Sequence, residues 1–401
     1  MLGHASRSYR WVVLALLFGA TTINYLDRIV FSVLIPVIRK DMNLTDQDYG
    51  NLTGAFTFAY TLGFLVAGKF IDRFGTRIGY ATAIIWWSIA AALHSGARTA
   101  MELGFWRAML GFGEAGNFPA AIKGVAEWFP KKDRAFATGI FNAGTNVASM
   151  IGPPIFVWMN MQYGWRQSFF ITAISGLFWV VLWLIFYRKP DFNPEPGEGK
   201  EPQIGWLAAL RFRETWGFAA GKFLTDPVWW FYLYWLPPYL YDVRKFDLKE
   251  IGWALPVVYL MADIGSVGGG WLSGFFIRRG WETGRARQTT MAIFAAMMPI
   301  AAMAVFAPGP VLTIALVSLA TSAHQGWSAN LFTTTSDAFP RNAVASVTGI
   351  GGCAGGFGGF LFSSVIPGFV VSHFGYTPMF VFMGALHLIA LFAMRRLVWR
   401  M

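Results

Sequence analysis

The sequence predicts an all-α membrane protein whose twelve transmembrane helices form two six-helix bundles. The composition, the number of long apolar segments and a loop that recurs in each half support this fold class. Of the 401 residues, 55% are hydrophobic and 13% are charged, and the mean hydropathy is +0.47. Soluble domains carry about 25% charged residues, so this chain has too few to cover a globular surface in water.

Twelve apolar segments are long enough to cross the hydrocarbon core, which needs about 20 residues of helix. Six precede and six follow the polar stretch DFNPEPGEGKEPQ, which is too poor in apolar residues to form a core. We therefore predict an N-terminal bundle at 1–189, a cytoplasmic linker at 190–213 and a C-terminal bundle at 214–401. The predicted spans are 11–36, 48–71, 77–97, 101–123, 135–159, 166–187, 215–240, 250–276, 288–307, 310–334, 344–371 and 377–397.

Lysine and arginine are unequally divided between the two sides of the predicted membrane. Most of those in loops lie on the side that holds both termini and the linker. Basic loop residues mark the cytoplasmic side of a membrane protein. We therefore predict a multi-pass protein of the bacterial inner membrane with both termini in the cytoplasm. The net charge of +11 then reflects this orientation, and we expect no nucleic-acid partner.

A basic, glycine-containing loop recurs at the same place in each half. The loop after span two reads GKFIDRFGTR, and the loop after span eight reads GWLSGFFIRRG. Glycine lets helix ends approach closely, and basic side chains can pair with acids or with helix C-termini. The repetition indicates two related bundles, although an ordinary positive-inside loop is the alternative. The residues assigned to this gating loop are Gly68, Asp72, Arg73 and Arg77.

Span one carries ionisable residues at membrane depth, within the segment Asn24-Tyr25-Leu26-Asp27-Arg28. Each ionisable residue costs about 2.5–3.5 kcal/mol at mid-bilayer and must face a cavity or a partner. Asp27 and Arg28 point about 100° apart on a helix, so they cannot serve only each other. An arginine without an acidic partner would suit an anion. The alternative is an ion pair between helices that fixes the fold.

Span four places Arg107, Gly111 and Glu114 on one helical face, with the two charges about 10 Å apart. That separation is too large for a reliable direct pair. A carboxyl group in a partly dehydrated cavity, near an arginine, can load and release a proton. We therefore predict that Glu114 is the principal proton-coupling group, with Asp27 next. The alternative is that Glu114 only neutralises an arginine.

Spans five, seven and ten carry aromatic and polar residues that suit a polyhydroxylated ligand. An interfacial aromatic belt and polar helix packing are the alternatives. We expect the substrate site near the bilayer midplane between the two halves, as in other proteins built from repeated bundles. The candidates in these spans are Thr145, Trp230, Trp327, Ser328 and Asn330.

No feature of the sequence predicts an enzyme. The chain has no H-E-x-x-H motif and no fitting Gly-x-Ser-x-Gly elbow. Its single cysteine, Cys353, excludes a disulfide framework and a cysteine metal site. The glycine-rich run 349–359 predicts close helix packing, because no strand precedes it and no P-loop lysine follows. We expect no catalytic residue, no metal and no cofactor.

Three segments resemble the anion:cation symporter family of the major facilitator superfamily, and within it the bacterial hexuronate (sugar-acid) transporters. They are NYLDR in span one, RAMLGFGEAGNFPAAIKGVAEWFP in span four and AHQGWSANLFTTTSDAFPR in span ten. The resemblance covers nearly the whole chain and implies alternating access. It implies that Arg28 binds the substrate carboxylate and that Asp27 and Glu114 carry protons. The positions that match residues lining the family's cavity are Tyr25, Tyr60 and Arg107.

The resemblance implies a proton-coupled symporter that imports a hexuronate such as galacturonate or glucuronate. Galactonate-type relatives carry asparagines in helix eleven, where this chain reads GGCAGG, so the sequence favours hexuronates. The alternatives are another organic-anion porter, for galactonate, glucarate or tartrate, and an organic-phosphate antiporter, which would favour arginine in both halves. We expect a monomer whose partners are a small organic anion, protons and membrane lipid.

Overall fold

The computed structural model describes residues 4–129, 131–188, 206–338 and 341–397, and every regular element in these ranges is helical. The α-helices are α1 (His4–Met42), α2 (Asp46–Leu93), α3 (Ala100–Glu114), α4 (Asn117–Trp128), α5 (Lys131–Tyr163), α6 (Trp165–Phe186), α7 (Trp206–Ala209), α8 (Arg213–Asp242), α9 (Leu248–Arg278), α10 (Thr283–Ala302), α11 (Pro310–Ala338), α12 (Arg341–Gly359), α13 (Ile366–Phe374) and α14 (Thr377–Leu397).

These helices account for the twelve predicted spans. The helix α2 contains spans two and three, because the backbone at Gly75 leaves the helical conformation (φ 79°, ψ 159°). Span four is divided into α3 and α4, and span eleven runs through α12, a π-helical turn at Phe360–Val365 and α13. By length and apolarity alone, seven helical segments of the described residues can cross a membrane. The predicted all-α, twelve-helix fold class is confirmed.

The chain divides into two compact units. One, called the N-terminal unit here, combines Met1–Leu44 with Ala55–Gly199; the other, the C-terminal unit, combines Thr45–Gly54 with Lys200–Met401. The start of α2 belongs to the C-terminal unit, where a Cβ atom on Gly50 would lie 2.5 Å from the Cα of Gly368. The predicted boundaries at 189, 190–213 and 214 stay predictions, and residues 189–205 lie outside the described residues.

Glycine determines how closely the helices of the C-terminal unit approach each other. A Cβ atom on Gly265 of α9 would lie 2.1 Å from the carbonyl oxygen of Ser322 in α11. In the glycine-rich run of α12, a Cβ atom on Gly358 would lie 2.1 Å from the carbonyl oxygen of Phe223 in α8. Real Cβ atoms do not approach backbone this closely, so only glycine fits. The run therefore permits close helix packing, as predicted.

The two recurring loops share one backbone feature. Gly75 and Gly280 both adopt positive φ angles, of 79° and 85°, which glycine tolerates without strain. The Arg77 guanidinium donates to the carbonyl oxygen of Leu184 (2.6 Å) in the last turn of α6, a helix C-terminus of the kind predicted. Arg73 is exposed, and its guanidinium lies 5.7 Å from the Phe74 ring.

The predicted gating role of this loop stays a prediction. A side chain at Gly68 would have nothing within 4 Å, so this glycine is not required by packing inside its unit. The side chain of Asp72 lies outside the described residues.

Candidate functional site

A buried ion pair joins α1 to α3 in the N-terminal unit. The Nε and Nη2 atoms of Arg28 donate to Oε2 of Glu114 at 3.0 and 2.9 Å. The two side chains are 1% and 0% exposed. The expectation that Arg28 has no acidic partner is therefore wrong, because helix packing brings span four against span one. The alternative considered for both residues, an ion pair between helices, is present.

Three aromatic rings surround the Arg28 guanidinium. Its carbon lies 4.5 Å from the centroid of the Tyr60 ring, 4.7 Å from that of Tyr25 and 5.2 Å from that of Phe56. A guanidinium is stabilised over aromatic faces within about 6 Å. The rings therefore fix the position of this cation. Tyr25 and Tyr60 were predicted to belong to the site, whereas Phe56 was not.

Arg107 shares this aromatic cluster. Its guanidinium carbon lies 4.5 Å from the centroids of both Phe31 and Phe56, and the residue is fully buried. The ring of Phe56 therefore contacts two guanidinium groups. Phe56 also stacks on Tyr60, with ring centroids 5.8 Å apart. The four-residue spacing of Phe56 and Tyr60 on one helix was the sequence signal that could have identified Phe56.

Asp27 is buried and points away from Arg28, as the helical geometry predicts. The Thr172 hydroxyl of α6 and the Trp87 indole of α2 face its carboxyl group, and Glu114 is close enough to interact with it electrostatically. The two carboxyl groups predicted to carry protons therefore belong to one buried cluster. That these two carboxyl groups carry protons stays a prediction.

Two buried polar groups of this cluster have hydrogen-bonding capacity to spare. Both amide atoms of Asn24 and Oε1 of Glu114 make no hydrogen bond to any residue in the described part of the chain. A buried polar atom left unsatisfied costs about 1–3 kcal/mol. Asn24 lies one turn before Arg28 on the same face of α1. These atoms are candidates to bind the polar groups of a ligand.

We expect the substitution Gly111→Ala to disturb this cluster through the backbone of Phe56. The added Cβ atom would lie 2.3 Å from the Phe56 carbonyl oxygen, so α2 and α3 must separate. Such overpacking costs about 1–3 kcal/mol. Thermal unfolding in detergent should show a lower midpoint. The control is Gly96→Ala, where the new Cβ atom has nothing within 4 Å. An unchanged midpoint for Gly111→Ala would contradict the prediction.

The remaining candidate of the N-terminal unit, Thr145, is buried in α5. Its hydroxyl lies 2.8 Å from the carbonyl oxygen of Asn142 and 3.1 Å from the side-chain oxygen of Asn146. A local role in α5 is therefore present, and a role in substrate binding stays a prediction.

The candidates of the C-terminal unit occupy different surroundings. Trp230 is half-buried, and its ring lies 5.8 Å from that of Tyr234. Trp327 is completely buried, with its ring 5.3 Å from that of His387 in α14. Ser328 is half-buried. Their roles in substrate binding stay predictions.

Asn330 connects helices of the C-terminal unit. Its amide nitrogen donates to the carbonyl oxygens of Gly269 in α9 (3.0 Å) and Gly326 in α11 (2.9 Å). Its oxygen accepts from Arg287 of α10 at 3.4 Å. These bonds favour the alternative of polar helix packing. Both N–H donors of the amide are used in these bonds, so only its oxygen could accept a further hydrogen bond.

The helix α8 contains an ion pair that was not predicted from the sequence. Nζ of Lys222 lies 2.7 Å from Oδ2 of Asp226 and 4.2 Å from the centroid of the Phe332 ring. The four-residue spacing of a base and an acid on one helix is the sequence signal that could have identified this pair, because lysine as well as arginine can supply the cation. The described residues contain no group of three or more histidine, cysteine or acidic side chains able to hold a metal.

The protein has helices long enough to cross a membrane, and they enclose a buried arginine, its carboxyl partner and an aromatic cluster. These features place it in the class of membrane transporters. The family model described as Major Facilitator Superfamily matches residues 17–363, and the chain belongs to this superfamily.

Several transporters are similar in sequence to this chain. The hexuronate transporter of Escherichia coli strain K12 is 31% identical, over 96% of this chain and 92% of its own. The galacturonate transporter of Dickeya chrysanthemi is 31% identical, over 67% of this chain and 83% of its own. The D-galactonate transporter of E. coli strain CFT073 is 27% identical, over 95% of this chain and 93% of its own.

A solved structure shares the fold. It is the crystal structure of a bacterial homologue of the human lysosomal transporter Spinster, in an inward-facing and unoccupied conformation. The two folds superpose with a TM-score of 0.76 at 20% sequence identity, over 97% of this chain and 95% of the other.

Proposed function

We propose that this protein is a proton-coupled symporter that imports a sugar acid, a hexuronate such as galacturonate or glucuronate, by alternating access. The similarity to transporters named for hexuronate, galacturonate and galactonate supports the substrate class. The observation that carries the proposal is the buried pair of Arg28 and Glu114, because it links an anion-binding group directly to a protonatable one.

The substrate carboxylate and Glu114 compete for the same cation. Nε and Nη2 of Arg28 both donate to one carboxylate oxygen of Glu114, as they would to the carboxylate of a sugar acid. A proton on Glu114 removes its negative charge and weakens this pair. The guanidinium is then available to the substrate. Binding of the anion therefore follows uptake of a proton.

The same competition explains why the proton and the substrate would cross the membrane together. An uncompensated charge at membrane depth is costly. Arg28 is neutralised either by ionised Glu114 or by the bound substrate carboxylate while Glu114 holds a proton. A form with substrate and ionised Glu114 carries excess negative charge, and a form with protonated Glu114 alone leaves Arg28 uncompensated. Both of these uncoupled forms are disfavoured.

The other buried residues complete the proposed site. Tyr25 and Tyr60 hold the guanidinium of Arg28 and offer hydroxyl groups to the sugar, while the Asn24 amide can donate and accept hydrogen bonds. Arg107 adds positive potential, and Asp27 is the second carboxyl able to take up a proton. In this proposal the protein is a monomer of the bacterial inner membrane with both termini in the cytoplasm.

A competition experiment tests the substrate class. Uptake of labelled galacturonate into proteoliposomes is measured against uronates, aldonates, tartrate and phosphate. Galactose is the matched control, because it differs from galacturonate only where the carboxylate stands. Hydrogen bonds to charged groups contribute about 1.5–3 kcal/mol, so galacturonate should compete about 10 to 150 times better than galactose. Inhibition by neutral sugars alone would exclude the proposal. Exchange that proceeds equally without a pH gradient would favour an organic-phosphate antiporter.

A further inference from the structure

The helix α9 in the C-terminal unit has three distinct faces. One face packs into the unit and is buried, and a second is exposed to lipid and carries large apolar side chains. The buried face consists of Ile251, Leu255, Val258, Ala262, Gly265 and Gly269. The exposed face consists of Trp253, Val257, Leu260, Ile264, Val267 and Trp271, each at least 50% exposed.

The third face lies about 100° from both of the others at the angular spacing of an α-helix. Its residues are small or polar, and they include the only acid in the interior of α9, Asp263. The face consists of Gly252, Pro256, Tyr259, Asp263, Ser266 and Gly270. Asp263 stands at the midpoint of Leu248–Arg278 and is half-buried. It therefore stands near the middle of the helix, on a face between the buried face and the exposed apolar face.

No residue that the structure describes forms an ion pair or a hydrogen bond with Asp263. Four charged or titratable groups on the described helices packed against α9 lie against other residues. Lys222 and Asp226 of α8 pair with each other at 2.7 Å. Arg287 of α10 donates to Ser273 at 2.7 Å, and His324 of α11 lies 3.3 Å from His387 of α14. On α9 itself, the titratable neighbour on the same face is Tyr259, one turn earlier, which is buried.

A structural role does not account for this acid. An aspartate at mid-bilayer costs about 2.5–3.5 kcal/mol on insertion scales, and here no cation offsets that cost. Lys222 and Asp226 neutralise each other, and no cation of the described residues pairs with Asp263, so an ionised Asp263 has no local counter-charge. Protonation removes the negative charge of Asp263. Its side chain is half-buried, so part of its surface lies outside the packed interior of the described residues.

We propose that Asp263 is a further proton-binding site, which takes up one proton from water on its carboxylate and releases it again in each transport cycle. This inference rests on the proposed function as a proton-coupled symporter. It adds a coupling group in the C-terminal unit to those of α1 and α3.

The test is the accumulation ratio of substrate in proteoliposomes, with the membrane potential held at zero by valinomycin and equal potassium. Each coupled proton contributes a factor of about 10 per pH unit to that ratio. Asp263→Asn should therefore lower accumulation about tenfold under a one-unit gradient, while counterflow continues. Asp247→Asn is the matched control. It makes the same chemical change at the N-cap of the same helix, where asparagine caps equally well, and should leave the ratio unchanged.

The outcomes separate the two proposals. If Asp263→Asn accumulates substrate to the wild-type ratio, the inference about Asp263 is overturned and the proposed function stands. If the wild-type protein itself accumulates nothing under a proton gradient, both are overturned.

If Asp263→Asn does not fold, the wild-type protein is treated with dicyclohexylcarbodiimide, which modifies protonated carboxyl groups, and its peptides are mapped. Labelling of Asp263 that declines as pH rises supports the inference. Labelling that is absent, or constant with pH, overturns it.

Discussion

Arg28→Lys should give a protein that inserts and folds but takes up almost no substrate. The lysine ammonium retains the positive charge that Glu114 requires, so the charge balance of the buried cluster is kept. It cannot reproduce the planar fork that places both Nε and Nη2 on one carboxylate oxygen. It also cannot stack as a flat group among the three rings around Arg28. Loss of one charge-assisted hydrogen bond should weaken substrate binding by about 10 to 150-fold.

Binding is measured by calorimetry on purified protein, and uptake in proteoliposomes, because the two should fall together. The control is Arg98→Lys, which makes the same change at an exposed position. It should bind and transport as the wild type does. Near-normal affinity in a correctly inserted Arg28→Lys protein would remove Arg28 from the proposed site.

Glu114→Gln should separate transport from proton coupling. Glutamine has the shape of a protonated glutamate and carries no charge, so Arg28 no longer has a permanent anionic partner. Substrate should then bind without prior uptake of a proton. Its affinity should no longer depend on protonation at position 114. Counterflow should continue. Accumulation driven by a one-unit pH gradient should fall at least about tenfold, the factor that one coupled proton supplies.

Counterflow and pH-driven uptake are measured in the same liposomes, so that loss of protein cannot be mistaken for loss of coupling. Glu102→Gln is the matched control, because Glu102 lies in the first turn of the same helix α3 and is exposed. It should change neither measurement. If Glu114→Gln concentrates substrate as well as the wild type does, the coupling role passes to another carboxyl group, with Asp27 next.

The two substitutions probe one ion pair from opposite sides. Arg28→Lys weakens substrate recognition and should lower uptake and counterflow alike. Glu114→Gln removes only the competitor for Arg28 and should spare counterflow. A cluster whose sole role was to fix the fold would lose both activities with either substitution. The difference between the variants therefore distinguishes a coupling device from a structural ion pair.

The sequence alone determined the class of fold and the helices that carry buried charge. Apolar length, loop chemistry and the placement of ionisable residues at membrane depth are local properties of the chain, so they can be interpreted without knowing which helices are neighbours. The divergence of Asp27 from Arg28 followed from the angle between successive residues on a helix. The ion pair of Lys222 and Asp226 is equally local, because the two residues stand four apart on one helix. It can be predicted from the sequence when lysine is considered as well as arginine.

Only the tertiary structure decided which of these groups meet. Glu114 is 86 residues from Arg28 along the chain, and their hydrogen bonds depend on the rotation and packing of two separate helices. The same is true of Phe56 between two arginines and of Asn330 bonded to Gly269. Hydropathy shows that a polar residue at membrane depth needs a partner or a cavity. It does not show which of the two the residue has, because the local sequence does not determine which face of a helix packs against which neighbour. Packing selects one face for each neighbour, and that selection made Arg28 a partner of Glu114.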